Sequence, residues 1–186
     1  GLLTVAVPKK PGRKYDTFQW TSEPPDECSG DLEWYVDGSG YNTRWTHLAT
    51  FGFAIVVVSA AGDLVAWALG VPPQWASSVA DAEAWAVVTI LGFAPAVPKI
   101  VTDCMSILQV ARAGQKKANS AAMPLARVWS HASHALDGNL SALADGQLVW
   151  MPAHKSAKSF RNYTRSDKRT VSSLDWRANR LADILA

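Results

Sequence analysis

From residue 51 to 58 the chain reads FGFAIVVV, an unbroken apolar run rich in Val, Ile and Phe. A run this short, bounded by polar turn residues, predicts a buried strand at 51–60. AAGD (60–63) supplies a turn, and LVAWALG brings the chain back as a strand at 64–70. Upstream, DLEWYVD predicts a strand at 31–37, so the first three strands are expected to form an antiparallel meander. The pattern changes at SSVADAEAWAVVTILGF, where Ala, Glu, Trp and Leu suit a helix over 77–93. Ser77 or Ser78 can cap its start, and Gly92 with Pro95 ends it. KIVTDC predicts a strand at 99–104, and MSILQVARAG a helix at 105–114 closed by Gly114. SAAMPLARVWSHASHAL predicts a helix at 120–136, with Pro124 near its start. GQLVWMPAH reads as a last strand at 146–154 leading into a basic loop, and SLDWRANRLADILA as a helix at 173–186. This order predicts a mixed sheet flanked by helices. Residues 1–30 hold Pro8, Pro11, Pro24 and Pro25 in irregular polar sequence, which predicts an extended arm or linker ahead of a domain spanning 31–186.

Composition narrows the class. At 186 residues the chain is long enough for one domain with a real core, and 48% hydrophobic against 18% charged residues excludes a disordered chain. Nine Trp residues should lie in that core or stack on flat partners. Cys28 and Cys104 stand far apart with no CxxC pair, which argues against a disulfide framework or a structural zinc site. His131 and His134, three apart on a helix, find no further Cys or His to complete a zinc shell and read as ordinary helix residues. The apolar run at the start is too short and wrongly flanked for a signal peptide. No apolar stretch reaches the roughly 20 residues that a spanning helix needs. The expectation is a soluble intracellular protein, cytoplasmic or nuclear, with no membrane partner. A net charge of +2 is too small to imply a polyanion, but its distribution is uneven. Lys155, Lys158, Arg161, Arg165, Lys168 and Arg169 face only Asp167 in one stretch, and Lys9, Lys10, Arg13 and Lys14 cluster near the start. Both stretches suit either a solvated loop or a phosphate contact.

The candidate chemistry lies in four acids. EWYVDGSG (33–40) begins as a strand and ends with Asp37 at its tip, beside glycines that let other groups approach closely. Asp103 occupies the same position at the end of the fourth predicted strand. Glu83 sits among Ala, Val and Trp in the first predicted helix, and Asp183 among Leu181, Ala182, Ile184 and Leu185 in the last. Charged groups lie on apolar faces when they are paired or bound to metal. Arg180 could satisfy Asp183 locally, but four such acids in one small domain suggest a shared partner. Hard cations fit, since Mg²⁺ takes oxygen ligands from a few carboxylates together with phosphate and water. Two such ions about 3.5–4 Å apart can clamp both oxygens of a phosphoryl displacement.

Five segments in order, YVDGSG (35–40), AEAW (82–85), VTDC (101–104), VWMPAH (149–154) and NRLAD (179–183), resemble the ribonuclease H family. The resemblance covers roughly residues 31–186, and its wording is closer to the ribonuclease H domain of a retroelement polyprotein than to a free cellular enzyme. It implies a ribonuclease H-like α/β fold, a five-stranded mixed sheet with antiparallel first three strands and helices on both faces. It further implies a catalytic set of Asp37, Glu83, Asp103, Asp183 and His154. The four acids would hold two Mg²⁺ ions, with Mn²⁺ able to substitute, and His154 would assist leaving-group protonation or product release. Ser39, Lys155, Lys158, Arg161, Arg165 and Asn179 are expected against substrate. The implied activity is hydrolysis of the RNA strand of RNA–DNA hybrids, giving 3′-hydroxyl and 5′-phosphate ends. The implied partners are the hybrid and adjacent reverse transcriptase domains. Where relatives carry polar residues just before the helix glutamate, this chain has Val79 and Ala80. Between His154 and Asn179 it is longer and more basic than many relatives. The competing readings are a non-catalytic nucleic-acid-binding or scaffold module and a phosphoryl transferase acting on DNA.

Overall fold

The computed structural model describes residues 14–25, 31–45, 47–144 and 146–186. Lys9, Lys10, Arg13 and Cys28 lie outside them. The strands are β1 (Thr17–Ser22), β2 (Leu32–Tyr41), β3 (Thr50–Ser59), β4 (Leu64–Val71), β5 (Lys99–Thr102) and β6 (Leu148–Trp150). The helices are α1 (Val79–Phe93), α2 (Met105–Ala113), α3 (Gln115–Ala118), α4 (Ala126–Ala135), α5 (Ser141–Ala144) and α6 (Ser173–Leu185). One sheet runs in the order β1-β4-β3-β2-β5-β6. β2, β3 and β4 form the expected antiparallel meander, and β5 and β6 join it in parallel.

The sheet has six strands, not five. The extra strand, TFQWTS, comes from the segment expected to be an extended arm and pairs antiparallel with the outer edge of β4, Thr17 opposite Val71 and Trp20 opposite Ala68. Two other boundaries are shorter than the sequence suggests. The helix expected over 120–136 begins at Ala126, because Pro124 pushes the residue before it away from helical geometry. The final strand spans only Leu148–Trp150, cut off by Pro152 and the loop beyond.

Strand alternation divides the core. Trp34, Val36, Ile55, Val57 and Ile100 face α1, α2 and α4, while Tyr35, Val56, Val101 and Val149 face α6. Trp34 and Trp129 are fully buried, and Trp75 stacks on His131 at 6.0 Å between centroids. α1 starts where Ser78 accepts the Asp81 N–H at 3.0 Å while Asp81 accepts from Ser77 N at 2.8 Å. α6 starts with a full capping box between Ser172 and Asp175. The covering helices therefore enter at fixed points on both faces. Among the described residues, no helix is long and apolar enough to cross a membrane.

Candidate metal centre

The parallel register of β2 and β5 sets Val36 beside Thr102, so the next residues, Asp37 and Asp103, emerge together at one end of the sheet. Glu83 reaches that end from α1, on the other face. Gly38 makes this possible. A Cβ at Gly38 would lie 2.7 Å from both Glu83 N and Val79 O, so only glycine lets the first turn of α1 lie against the strand. The ligand oxygens of Asp37, Glu83 and Asp103 all fall within 4.8 Å of one another, with Asp37 and Glu83 buried.

Each acid is held by donors. Gly38 N donates to Asp37 Oδ1 at 2.7 Å. Glu83 Oε1 accepts from the Thr102 hydroxyl and from Cys104 N at 3.2 Å. Asp103 accepts from Asn179 Nδ2 at 3.2 Å through its carboxylate and from Trp150 Nε1 at 2.8 Å through its carbonyl. These donors do not offset the crowding. Burial, and then the charge of Asp103, push Asp37 up to about 7. Burial, and then the charges of Asp103 and Asp37, push Glu83 up to about 8 despite the Thr102 hydrogen bond. Asp103 is raised as well, first by burial. Two buried carboxylates, Asp37 and Glu83, and the half-buried Asp103 form an all-oxygen donor set whose charge is unbalanced. That is the chemistry a hard divalent cation satisfies.

Asp183 stands at the rim. It is near enough to raise Asp37 and Asp103 by its charge, and it faces His154 Nδ1 at 3.8 Å. His154 is exposed, in a left-handed backbone conformation at φ 48. The Ser39 hydroxyl is engaged by the chain itself, donating to Ala186 O at 2.5 Å.

No family model matches the chain, and no curated protein matches it. Among solved structures, the solution structure of the PFV RNase H domain aligns with a TM-score of 0.49 at 18% identity, covering 84% of this chain and 92% of that one. The chain resembles ribonuclease H domains. Prototype foamy virus protease-reverse transcriptase aligns with a TM-score of 0.47 at 14% identity, over 83% of this chain and 20% of that one. LC9-RNase H1, a type 1 RNase H with the type 2 active-site motif, gives 0.44 and 18%, over 82% of each chain.

The basic loop behaves differently from its expectation in one respect. Lys158 and Arg161 are exposed, and Lys155 is half-buried with its ammonium 4.5 Å over the Tyr163 ring. Arg165 is not a surface contact. It is 3% exposed, and its guanidinium pairs with Glu33 at 3.0 Å, Asp167 at 3.2 Å and Asp175. Lys99 and Arg169 complete a network of three cations and three acids around the start of β2 and β5. Glu33 lies four residues before Asp37 along β2, roughly 13 Å away at the usual strand rise. Burial alone would raise the Glu33 carboxyl, but Arg165, Arg169 and Lys99 hold it at about 2. The network binds the loop to the sheet end opposite the carboxylates. With Trp176 Nε1 donating to Lys155 O at 2.6 Å and Phe160 stacked on Trp176, it fixes the segment that carries His154.

Thr102, Cys104 N, Trp150 and Gly38 were absent from the sequence-derived site. The signal for Thr102 was present in VTDC, where a strand residue beside Asp103 faces the helix that carries Glu83.

Proposed function

We propose that this chain is a divalent-metal-dependent endonuclease that hydrolyses the RNA strand of RNA–DNA hybrids, acting within a retroelement polypeptide beside reverse transcriptase domains. The convergence of Asp37, Glu83 and Asp103 within 4.8 Å at one sheet end carries this reading. The order of the five motifs supports the hybrid substrate and the retroelement context. Asp37, Glu83 and Asp103, with Asp183 at the rim, would hold two Mg²⁺ ions. The chemistry such ions supply when bound is charge neutralisation at the phosphodiester and polarisation of a water.

The chain's own groups do the positioning. Thr102 and Cys104 N fix one oxygen of Glu83, while Asn179 and Trp150 fix Asp103, so the oxygens facing the scissile phosphate are oriented before substrate arrives. His154, exposed beside Asp183, delivers a proton to the departing 3′-oxygen. Lys158 and Arg161 bind backbone phosphate from the loop. The A-form backbone and the 2′-hydroxyl of the RNA strand are the features such a site can recognise.

The test is cleavage of labelled hybrid, duplex RNA and duplex DNA in Mg²⁺ and in chelator. Hybrid cleavage in Mg²⁺ alone, leaving 3′-hydroxyl ends on the RNA, is the expected result. Cleavage of duplex DNA in place of the hybrid, or no cleavage of any substrate, overturns the reading.

A further inference from the structure

Beside the carboxylates lies a cleft of about 780 Å³, between the start of β1, the β2–β3 hairpin and the β4–α1 loop. Its volume falls within the roughly 300–1,000 Å³ of small-molecule sites. Tyr15, Phe51, Pro72, Pro73 and Val79 give it apolar walls, and the side chains of Thr43 and Thr50 add hydroxyls. Among the described residues that line it, Lys14 is the one that carries a charge. A backbone hydrogen bond from Asp16 N to Pro72 O, 3.3 Å, ties β1 to the far wall.

The cleft neighbours the candidate metal centre through Val79. Val79 forms part of its wall, 38% exposed, and stands one helical turn before Glu83. Its carbonyl packs against Gly38, next to Asp37, and its side chain packs against Gly40. A Cβ on Gly40 would meet Thr43, Val79 and Phe51 at 2.7, 2.9 and 3.2 Å, so the bare backbone there keeps the three walls together. The hairpin that carries Thr43 also exposes Tyr41 (73%) and Trp45 (59%).

We propose that this cleft takes one unpaired nucleotide of the nucleic-acid substrate. The proposal rests on the nucleic-acid reading of the carboxylate centre. Apolar and aromatic walls accept the faces of a base, the threonine hydroxyls meet its edge, and Lys14 meets a phosphate. A paired base has both faces stacked and its edge turned to its partner, so it enters a lateral cleft only when it is unpaired or extruded. The substrate favoured by this site is therefore a hybrid interrupted by an unpaired residue next to the scissile phosphate.

The probe is an RNA–DNA hybrid with one unpaired 2-aminopurine in the RNA strand, compared with a fully paired control. Binding to the full chain is followed by fluorescence in chelator. The interrupted hybrid is expected to bind about tenfold more tightly, with quenching of the probe, on the scale of one base–aromatic stack. Tyr15→Ala and Thr43→Trp should each remove the preference and the quenching, while Tyr15→Phe keeps both; thermal midpoints establish that the variants fold. Equal affinity for the two hybrids, or quenching that survives both Tyr15→Ala and Thr43→Trp, overturns the proposal. The cleavage assay is read separately. Quenching lost in the variants, together with no cleavage in Mg²⁺, supports the cleft and overturns the nuclease reading alone.

Discussion

Asn179 of α6 donates its side-chain amide to Asp103 at the end of β5, 3.2 Å away and across the sheet from the helix that carries Glu83. This contact links the last helix to the carboxylate centre. A hydrogen bond to a charged group contributes about 1.5–3 kcal/mol, so Asn179→Ala should lower kcat/KM roughly ten- to hundredfold. Steady-state cleavage kinetics check it, and an unchanged kcat/KM would remove Asn179 from the site.

Asp37→Asn tests the centre itself. It removes a charge that the two neighbouring acids must otherwise oppose, so the fold should survive and, without metal, be as stable as the parent or more so. Cleavage should fall to background. Thermal melts in chelator with turnover in Mg²⁺ measure both, and near-normal turnover would exclude Asp37 as a ligand.

The raised carboxyls make stability depend on pH. Asp37 and Glu83 hold protons in the folded chain up to about 7 and about 8, whereas in the unfolded chain they release them near 4. The folded state therefore binds more protons between these limits, and the metal-free protein should lose stability as pH rises from about 4 to 8. Added Mg²⁺ should restore it, more strongly at pH 8 than at pH 5. Melting curves across that range, with and without the ion, give the slope; Asp37→Asn should flatten it.

The basic loop separates into two roles. Neutralising Lys158 and Arg161 should raise KM and flatten its salt dependence with little change in kcat, because phosphate contacts release counterions and are shared by ground and transition states. Arg165→Ala should instead destabilise the fold by about 3–5 kcal/mol, since it takes the guanidinium away from the buried Asp175, while Glu33 and Asp167 keep Lys99 and Arg169. Urea denaturation distinguishes the second effect from the first.

The acids were legible because each breaks a local rule. Asp37 and Asp103 end apolar strands, and Glu83 interrupts an apolar helix face, so a sequence window shows the conflict. Arg165 breaks no local rule. It sits among other cations in a polar loop, and its partner Glu33 lies 132 residues away, so its burial follows only from tertiary packing. β1 was hidden for a related reason. TFQWTS is short, half-exposed and set near prolines, and its strand character comes from β4, nearly fifty residues later. Thr102 was visible as a residue but not as a donor, because its acceptor belongs to another element.

The pairing of β1 with β4 has a consequence for protein handling. Starting the chain at residue 31 would discard β1 and leave the β4 backbone as a bare template, flanked by the exposed Leu64 and Leu69. Unpaired edges of that kind recruit other chains. A protein trimmed to its motif-bearing portion would thus keep Asp37, Glu83, Asp103 and Asp183 and still be expected to precipitate or dimerise edge to edge, and a failed cleavage assay on it could be mistaken for evidence against the proposed site.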